Sequence, residues 1–188
     1  MVFLFIEEKD VLLMDTQIRL GTEKDIDSLE QLYDNLNDYL NISTNYPGWK
    51  KGVYPVRQDA VDGINEGCLF VATEDDEIIG SMILRHKPEP AYLTATWQAA
   101  LDYSDVLVIY TFLVNPKKHK QGTGKKMLEF AAKYAQENKI KALRLDVYEK
   151  NVPAIRLYEK CGYQYIDTVS LGLEDYGLDW FRLYEKLL

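Results

Sequence analysis

Cysteine and histidine are both scarce: the 188 residues hold Cys68 and Cys161, His86 and His119, and no others of either type. Two distant cysteines make neither a disulfide framework nor a thiolate metal motif, and a reducing cytoplasm is the expected setting. Two histidines without a His-Glu pair at helical spacing give no reason to assign a metal. Long apolar runs are missing too. "MVFLFI" and "VLVIYTFLV" fall far short of the roughly 20 residues that span a bilayer, so no membrane segment is expected. No basic residue precedes "MVFLFI", and Glu7 and Glu8 follow it, which is unlike a secretion signal. Basic charge is in deficit. With 22 Lys and Arg against 30 Asp and Glu, the net charge of -8 argues against a nucleic-acid surface and mildly for cationic partners. No internal repeat or low-complexity linker divides the chain, and 47% hydrophobic residues suffice for one substantial core.

What is present reads as alternating strands and helices. After a short strand, "QIRLG", Thr22 and Asp25 form a loose capping box. Ile26, Leu29, Tyr33, Leu36 and Leu40 then recur on one helical face. A second helix is expected from about Val56 to Glu66, before Gly67, and "CLFVA" and "EIIGSMIL" flank the polar turn "TEDDE" as a hairpin. Residues 86–105 are too long for a minimal connection and read as an insertion, with "ATWQAALDY" a candidate short helix. "DVLVIYTFLV" is apolar on both alternate sets of positions, as expected of a central strand covered on both faces. Met127, Leu128, Ala131, Tyr134 and Ala135 stripe a helix from about Gly122 to Glu137. "ALRLDVY" is a strand. Asn151 then caps a helix carrying Ala154, Leu157, Tyr158 and Cys161 until Gly162, and two strands, "YQYIDTVSL" and "WFRLYEKLL", close the chain.

The stretch "HKQGTGKKM" sets Gly122 and Gly124 at the entry to a helix. The first amide N–H groups of a helix lack intrahelical partners and sit at the positive end of its dipole, so a glycine-rich entry lets a phosphate approach the backbone. Lys117, Lys118, Lys120, Lys125 and Lys126 reverse the local charge of an otherwise acidic chain. The turn is neither a P-loop, which needs a Gly-Lys-Ser/Thr end, nor the dinucleotide fingerprint, which needs a third glycine.

"VNPKKHKQGTGKKMLEFA" resembles motif A of the GNAT superfamily of N-acetyltransferases, and "LDVYEKNVPAIRLYEKCGYQY" resembles its motif B. The resemblance implies a single-domain α/β (α+β) fold, with a central mixed, mostly antiparallel sheet of about six to seven strands flanked by helices on both faces. The domain would run over residues 17–188, with an insertion at about 86–105, behind an N-terminal extension, residues 1–16. An extended apolar stretch there is a ready strand for a sheet edge or a second copy, which makes a homodimer an expectation. The resemblance further implies direct acetyl transfer from acetyl-CoA, as cosubstrate, to a primary amine of a small molecule or peptide. Phe112, Leu113 and Val114 would hydrogen-bond the pantetheine arm. His119, Lys120, Gln121, Gly122, Thr123, Gly124 and Lys125 would hold the pyrophosphate, and Asn151 and Ala154 would line the arm. Tyr158 would face the sulfur as its proton donor. His119 stands where the family carries Arg or Gln, so the backbone is the firmer part of that contact.

An amine near pKa 10.4 must lose a proton before it attacks a thioester. No glutamate sits inside the strand before motif A; Tyr110 and Asp105 are weak candidates for the base, beside a water relay. Tyr39, Tyr46, Trp49 and Tyr54, with Tyr92, Trp97 and Tyr103 from the insertion, could hold a cationic amine. A non-catalytic acyl-CoA-binding sensor on the same fold is the alternative reading.

Overall fold

A computed structural model describes residues 16–188. The expected strand at "MVFLFI" lies outside the described residues. Seven strands, β1 (Gln17–Leu20), β2 (Leu69–Glu74), β3 (Glu77–Arg85), β4 (Val106–Val114), β5 (Ala142–Tyr148), β6 (Gln164–Val169) and β7 (Phe181–Leu187), form one sheet in the order β1-β2-β3-β4-β5-β7-β6. All neighbours are antiparallel except β4 and β5.

Helices α1 (Ile26–Ile42) and α2 (Arg57–Asn65) cover one face of β2 and β3, burying Leu29, Leu32, Tyr33, Leu36, Leu40 and Ala60 against Leu69, Val71, Ile83 and Leu113. Helices α3 (Thr123–Glu137) and α4 (Val152–Lys160) cover the other face, with Met127, Leu128, Ala131, Ile155 and Tyr158 against Leu107, Ile109, Leu143, Leu145 and Val147. A 3.6-residue period on each helix matched to the two-residue period of the strands makes this three-layer arrangement. At about 2 kcal/mol for each fully buried Leu or Ile, these stripes outweigh the propensity of the short helices.

The chain enters α1 through a tight anionic cap. Arg19 donates twice to Asp25, at 2.8 and 2.8 Å, and the Thr22 N–H and O–H donate to the same carboxylate at 2.7 and 2.9 Å. The Arg19 hydrogen bonds above all, with those from Thr22, hold the Asp25 carboxyl down at about 2 against the opposing effect of burial. A depressed carboxylate stabilises the fold above its ordinary pKa and loses that contribution as pH falls through the folded value. Asp25→Asn is therefore expected to cost about 1–2 kcal/mol at pH 7, discounted because Arg19 is half exposed, and almost nothing near pH 2. Urea unfolding at both pH values checks this.

Residues 86–105 cover the remaining part of the α1 face, over β4, β5 and β7. Tyr92 packs there with Val106, Val108, Ala142 and Leu183. The expected helix at "ATWQAALDY" does not form. Two short 3-10 turns, Pro90–Leu93 and Tyr103–Asp105, flank an irregular middle. The reason is that its backbone is committed elsewhere: Gln98 N–H donates to Glu185 and the Ala99 carbonyl accepts from Arg144.

Candidate active site

The sheet opens in its centre. β4 and β5 pair over only three residues, Val106↔Ala142, Leu107↔Leu143 and Val108↔Arg144. Beyond them β4 continues along β3 while β5 stays with β7 for its whole length. A bulge drives the parting. The β3–β4 register shifts between Ser81 and Ile83, and Thr111 takes a left-handed φ of 46° inside the strand. Such a residue costs of order 1–3 kcal/mol and needs surrounding support. Support comes from Tyr54, whose hydroxyl lies 2.7 Å from Thr111 Oγ1. The result is a wedge whose two walls, β4 from Ile109 to Val114 and β5 from Leu145 to Tyr148, present backbone N–H and C=O groups without strand partners across it.

The glycine turn sits at the mouth of this wedge, where β4 runs into α3. Lys120 and Gly122 have φ of 63° and 87°, and the Gly122 carbonyl accepts the first helical bond, from Lys126 N–H. Nothing lies within 4 Å of a Cβ built on Gly122. The N–H groups of Thr123, Gly124 and Lys125 precede the first possible intrahelical acceptor, and the buried Thr123 Oγ1 has no partner among the described residues. Gly124 also meets a packing constraint. Its Cβ would sit 3.1 Å from Leu157 Cδ2, so the constraint there is packing of α3 on α4.

The lysines divide. Lys118 is spent on Glu74 at 2.7 Å, Lys125 pairs with Glu129 at 3.3 Å, and Lys126 reaches Thr16 at 3.1 Å. Among the described residues, Lys117 and Lys120 have no carboxylate partner. His119 turns back toward β4: its Nε2 lies 3.2 Å from the Val114 carbonyl oxygen, a contact in which the ring N–H must donate, and Tyr39 packs edge-on at 6.0 Å.

Tyr158 and Asp146 come to the wedge from opposite faces of the sheet. Tyr158 is buried on α4 among Phe112, Tyr163 and Tyr184, with ring centroids at 6.1, 5.8 and 6.3 Å. Burial, with a contribution from the Asp146 charge, pushes its phenol well above the usual value, so it stays protonated. Among the described residues its hydroxyl has no hydrogen-bond partner, although the ring is buried. Phe112 shares its surroundings. Asn151 accepts from Ala154 N–H at 3.4 Å and so caps α4 beside them.

Asp146 was missed by the sequence reading. It lies on β5 among apolar residues and accepts a 2.7 Å hydrogen bond from the Tyr92 hydroxyl. Burial, helped by the charge of Glu89, raises its carboxyl to about 6 despite that bond. The signal available was an acidic residue in the middle of the strand "LRLDVY". The other two candidates for the base are engaged in contacts of their own. Asp105 pairs with Lys141 at 2.7 Å at the closed end of the β4–β5 pair, and the Tyr110 hydroxyl donates to the Lys87 carbonyl at 2.9 Å. Trp97 and Tyr103 do hold a cation, but it is the protein's own: the Arg144 guanidinium lies 4.1 and 5.2 Å from their ring centroids.

Two residues further along the same face of β5, Tyr148 opens into a groove of about 560 Å³ lined by Tyr46, Gly48, Tyr176 and Leu178, with Lys150 also in its lining. It lies between the α1–α2 connection and the β6–β7 connection.

The family model of the acetyltransferase (GNAT) family matches residues 29–163, and the chain belongs to that family. It is 28% identical over 116 residues to a streptothricin acetyltransferase of Escherichia coli, covering 60% of this chain and 58% of that protein. It is 26% identical over 100 residues to a mycothiol acetyltransferase of Acidothermus cellulolyticus, covering 53% of this chain and 31% of that protein. The chain thus spans little more than half of the one relative and a third of the other. Among solved structures, a GNAT-family acetyltransferase from Streptococcus agalactiae superposes with a TM-score of 0.73 at 23% identity, covering 92% of this chain and 95% of that one. Among the described residues, no helix is long and apolar enough to cross a membrane.

Proposed function

We propose that the protein transfers an acetyl group from acetyl-CoA directly to a primary amine. The observation that carries this reading is the wedge between β4 and β5 with Asp146 and Tyr158 on its two sides. Acetyl-CoA supplies the thioester. Its pyrophosphate would lie on the N–H groups of Thr123, Gly124 and Lys125, with Gly122 leaving room for the oxygens and Lys117 and Lys120 free to pair with them. His119 contributes to the turn's shape through Val114 more than to phosphate binding. The backbone groups of the Phe112–Val114 stretch that face away from β3, where β5 does not pair with them, suit the amide groups of the pantetheine arm, since a strand edge pairs with an extended amide chain.

Asp146 takes the proton from the ammonium form of the acceptor; a carboxyl raised to about 6 is mostly ionised at neutral pH yet more basic than an ordinary one. The amine nitrogen then bonds to the acetyl carbon as the carbon–sulfur bond breaks. A β4 N–H stabilises the charge that develops on the carbonyl oxygen, Tyr158 gives its proton to the departing sulfur, and the second proton on the new amide nitrogen passes through water to restore the phenol. The acceptor would enter along the groove at Tyr148. Glu89 and Asp146 make the inner end acidic, which favours an amine that arrives as a cation. The unpaired Cys68 and Cys161 fit a cytoplasmic setting.

Thiol release from acetyl-CoA, followed across streptothricin, polyamines, aminoglycosides and peptides bearing free amines, tests the reading. Acceptor-dependent release is the expected result; thiol release with no acceptor dependence across the panel would overturn it. With an acceptor in hand, Tyr158→Phe keeps the ring packing and removes only the proton donor. Turnover is expected to fall by roughly 10²-fold, the low end of the 10²–10⁴ range for acid–base catalysis because a thiolate leaves readily, with little change in acetyl-CoA affinity.

A further inference from the structure

We infer that residues 86–105 are a working part of the active site, with Tyr92 as a positioning residue that holds the Asp146 carboxylate in line with the wedge. The inference rests on the acetyl-transfer reading for what Asp146 does, but not for where Asp146 is held. Tyr92 is fully buried, and its hydroxyl donates to Asp146 Oδ1 at 2.7 Å. Asp146 has no other side-chain hydrogen-bond donor among the described residues. The loop that delivers Tyr92 is anchored as firmly as a strand. His86 Nδ1 lies 2.8 Å from both the Tyr103 and Val106 carbonyl oxygens and closes the neck of the segment. Trp97 Nε1–H donates to the Tyr92 carbonyl at 2.9 Å, and the two rings pack at 5.4 Å.

Beneath Trp97 lies a buried ion pair. Arg144 and Glu185 are register partners on β5 and β7, 1% and 0% exposed at their side chains, with Nε to Oε1 at 2.9 Å. Each spends its remaining capacity on the loop: Glu185 Oε2 accepts from Gln98 N–H at 2.9 Å, and Arg144 donates to the Ala99 carbonyl at 3.0 Å. A charged pair in the interior costs more in desolvation than it returns unless its other hydrogen bonds are met. Here the loop meets them, which ties the pair's stability to the loop's position. Arg144 and Asp146 are two residues apart on β5 and so on one face, which links the anchored loop and the carboxylate through rigid strand backbone. The same loop sets the field at the carboxylate. The groups facing Asp146 are Tyr92 and Glu89 from the segment and Tyr158 from α4, with Tyr54 and Tyr110 near enough to feel its charge.

The test is Tyr92→Phe in the full chain, which keeps the ring and removes the O–H. Aspartate labelled with ¹³C at the carboxyl carbon is titrated by NMR without acetyl-CoA or acceptor, Asp146→Asn serving to assign the resonance. Loss of a donor to the ionised form should move the Asp146 midpoint upward by about one pH unit. Trp97→Phe, which loosens the Tyr92 carbonyl and leaves the phenol, should move it less and in the same direction. On an identified acceptor, the acid limb of kcat/KM should follow the NMR midpoint. An unmoved midpoint in a folded Tyr92→Phe protein overturns the positioning role, whatever the activity. A moved midpoint with an acid limb that ignores it upholds the positioning and instead removes Asp146 from the proton path.

Discussion

Asp146→Asn is expected to lower turnover by roughly 10²–10⁴ and at the same time make the protein more stable at pH 8. Asparagine keeps the shape and still accepts from the Tyr92 hydroxyl, so the substitution removes basicity and little else. The stability gain follows from the sign of the titration. The Asp146 carboxyl goes from an ordinary 3.8 up to about 6 in the folded protein because burial disfavours the charge. A raised carboxyl means the folded state holds its proton more tightly than the unfolded chain, so stability is lost as pH climbs from about 4 to about 6. The full loss is on the order of 3 kcal/mol above that window, and asparagine should recover about 1–3 kcal/mol of it. Urea unfolding at pH 4 and pH 8 reads the effect: a gain at pH 8 that shrinks at pH 4 is the expected pattern. A variant that turns over normally on an identified acceptor, with chemistry limiting the rate, would remove Asp146 from the mechanism.

Breaking the buried pair beneath the insertion should be the most damaging structural change. Arg144→Met leaves the Glu185 carboxylate with no counter-charge in a site with no solvent exposure, a loss of about 3–5 kcal/mol. It also strips the Ala99 carbonyl of its donor and leaves the Trp97 and Tyr103 rings facing a thioether in place of a guanidinium. The double variant Arg144→Met with Glu185→Leu removes the orphaned charge and should regain much of the loss, because apolar replacements of a buried pair pack in the same volume. Hydrogen exchange distinguishes global from local damage. Amides of residues 90–103 should exchange faster in the double variant than in the parent even where the melting temperature is restored, since Gln98 and Ala99 have lost their partners. Equal protection in both proteins would mean that the loop holds itself in place.

The order of the elements was legible in the sequence because periodicity is a local property. Leu29, Tyr33, Leu36 and Leu40 announce one face of α1 wherever the helix ends up. The turn at Gly122 and the cap at Asn151 carry their meaning in a few residues each, because left-handed φ and an exposed helix start make demands on the residue in place. The fold class came with the resemblance that those two stretches carry. Arg144 and Asp146 show where that reading stops. Charged residues at alternate positions of "ALRLDVY" look like the solvent side of a strand, and nothing nearby in the chain says otherwise. That face is covered instead by a segment about 50 residues earlier, whose Tyr92, Trp97 and Ala99 turn a solvent face into an interior and an ordinary aspartate into one with a raised pKa. The split between β4 and β5 was equally hidden, because a bulge at Thr111 is a matter of register between strands, not of residue type. Local chemistry thus determined the elements, the glycine turn and the phenol on α4. The wedge, the carboxylate beside it and the buried pair under residues 86–105 were decided by tertiary contacts, since desolvation and charge pairing depend on what lies across space.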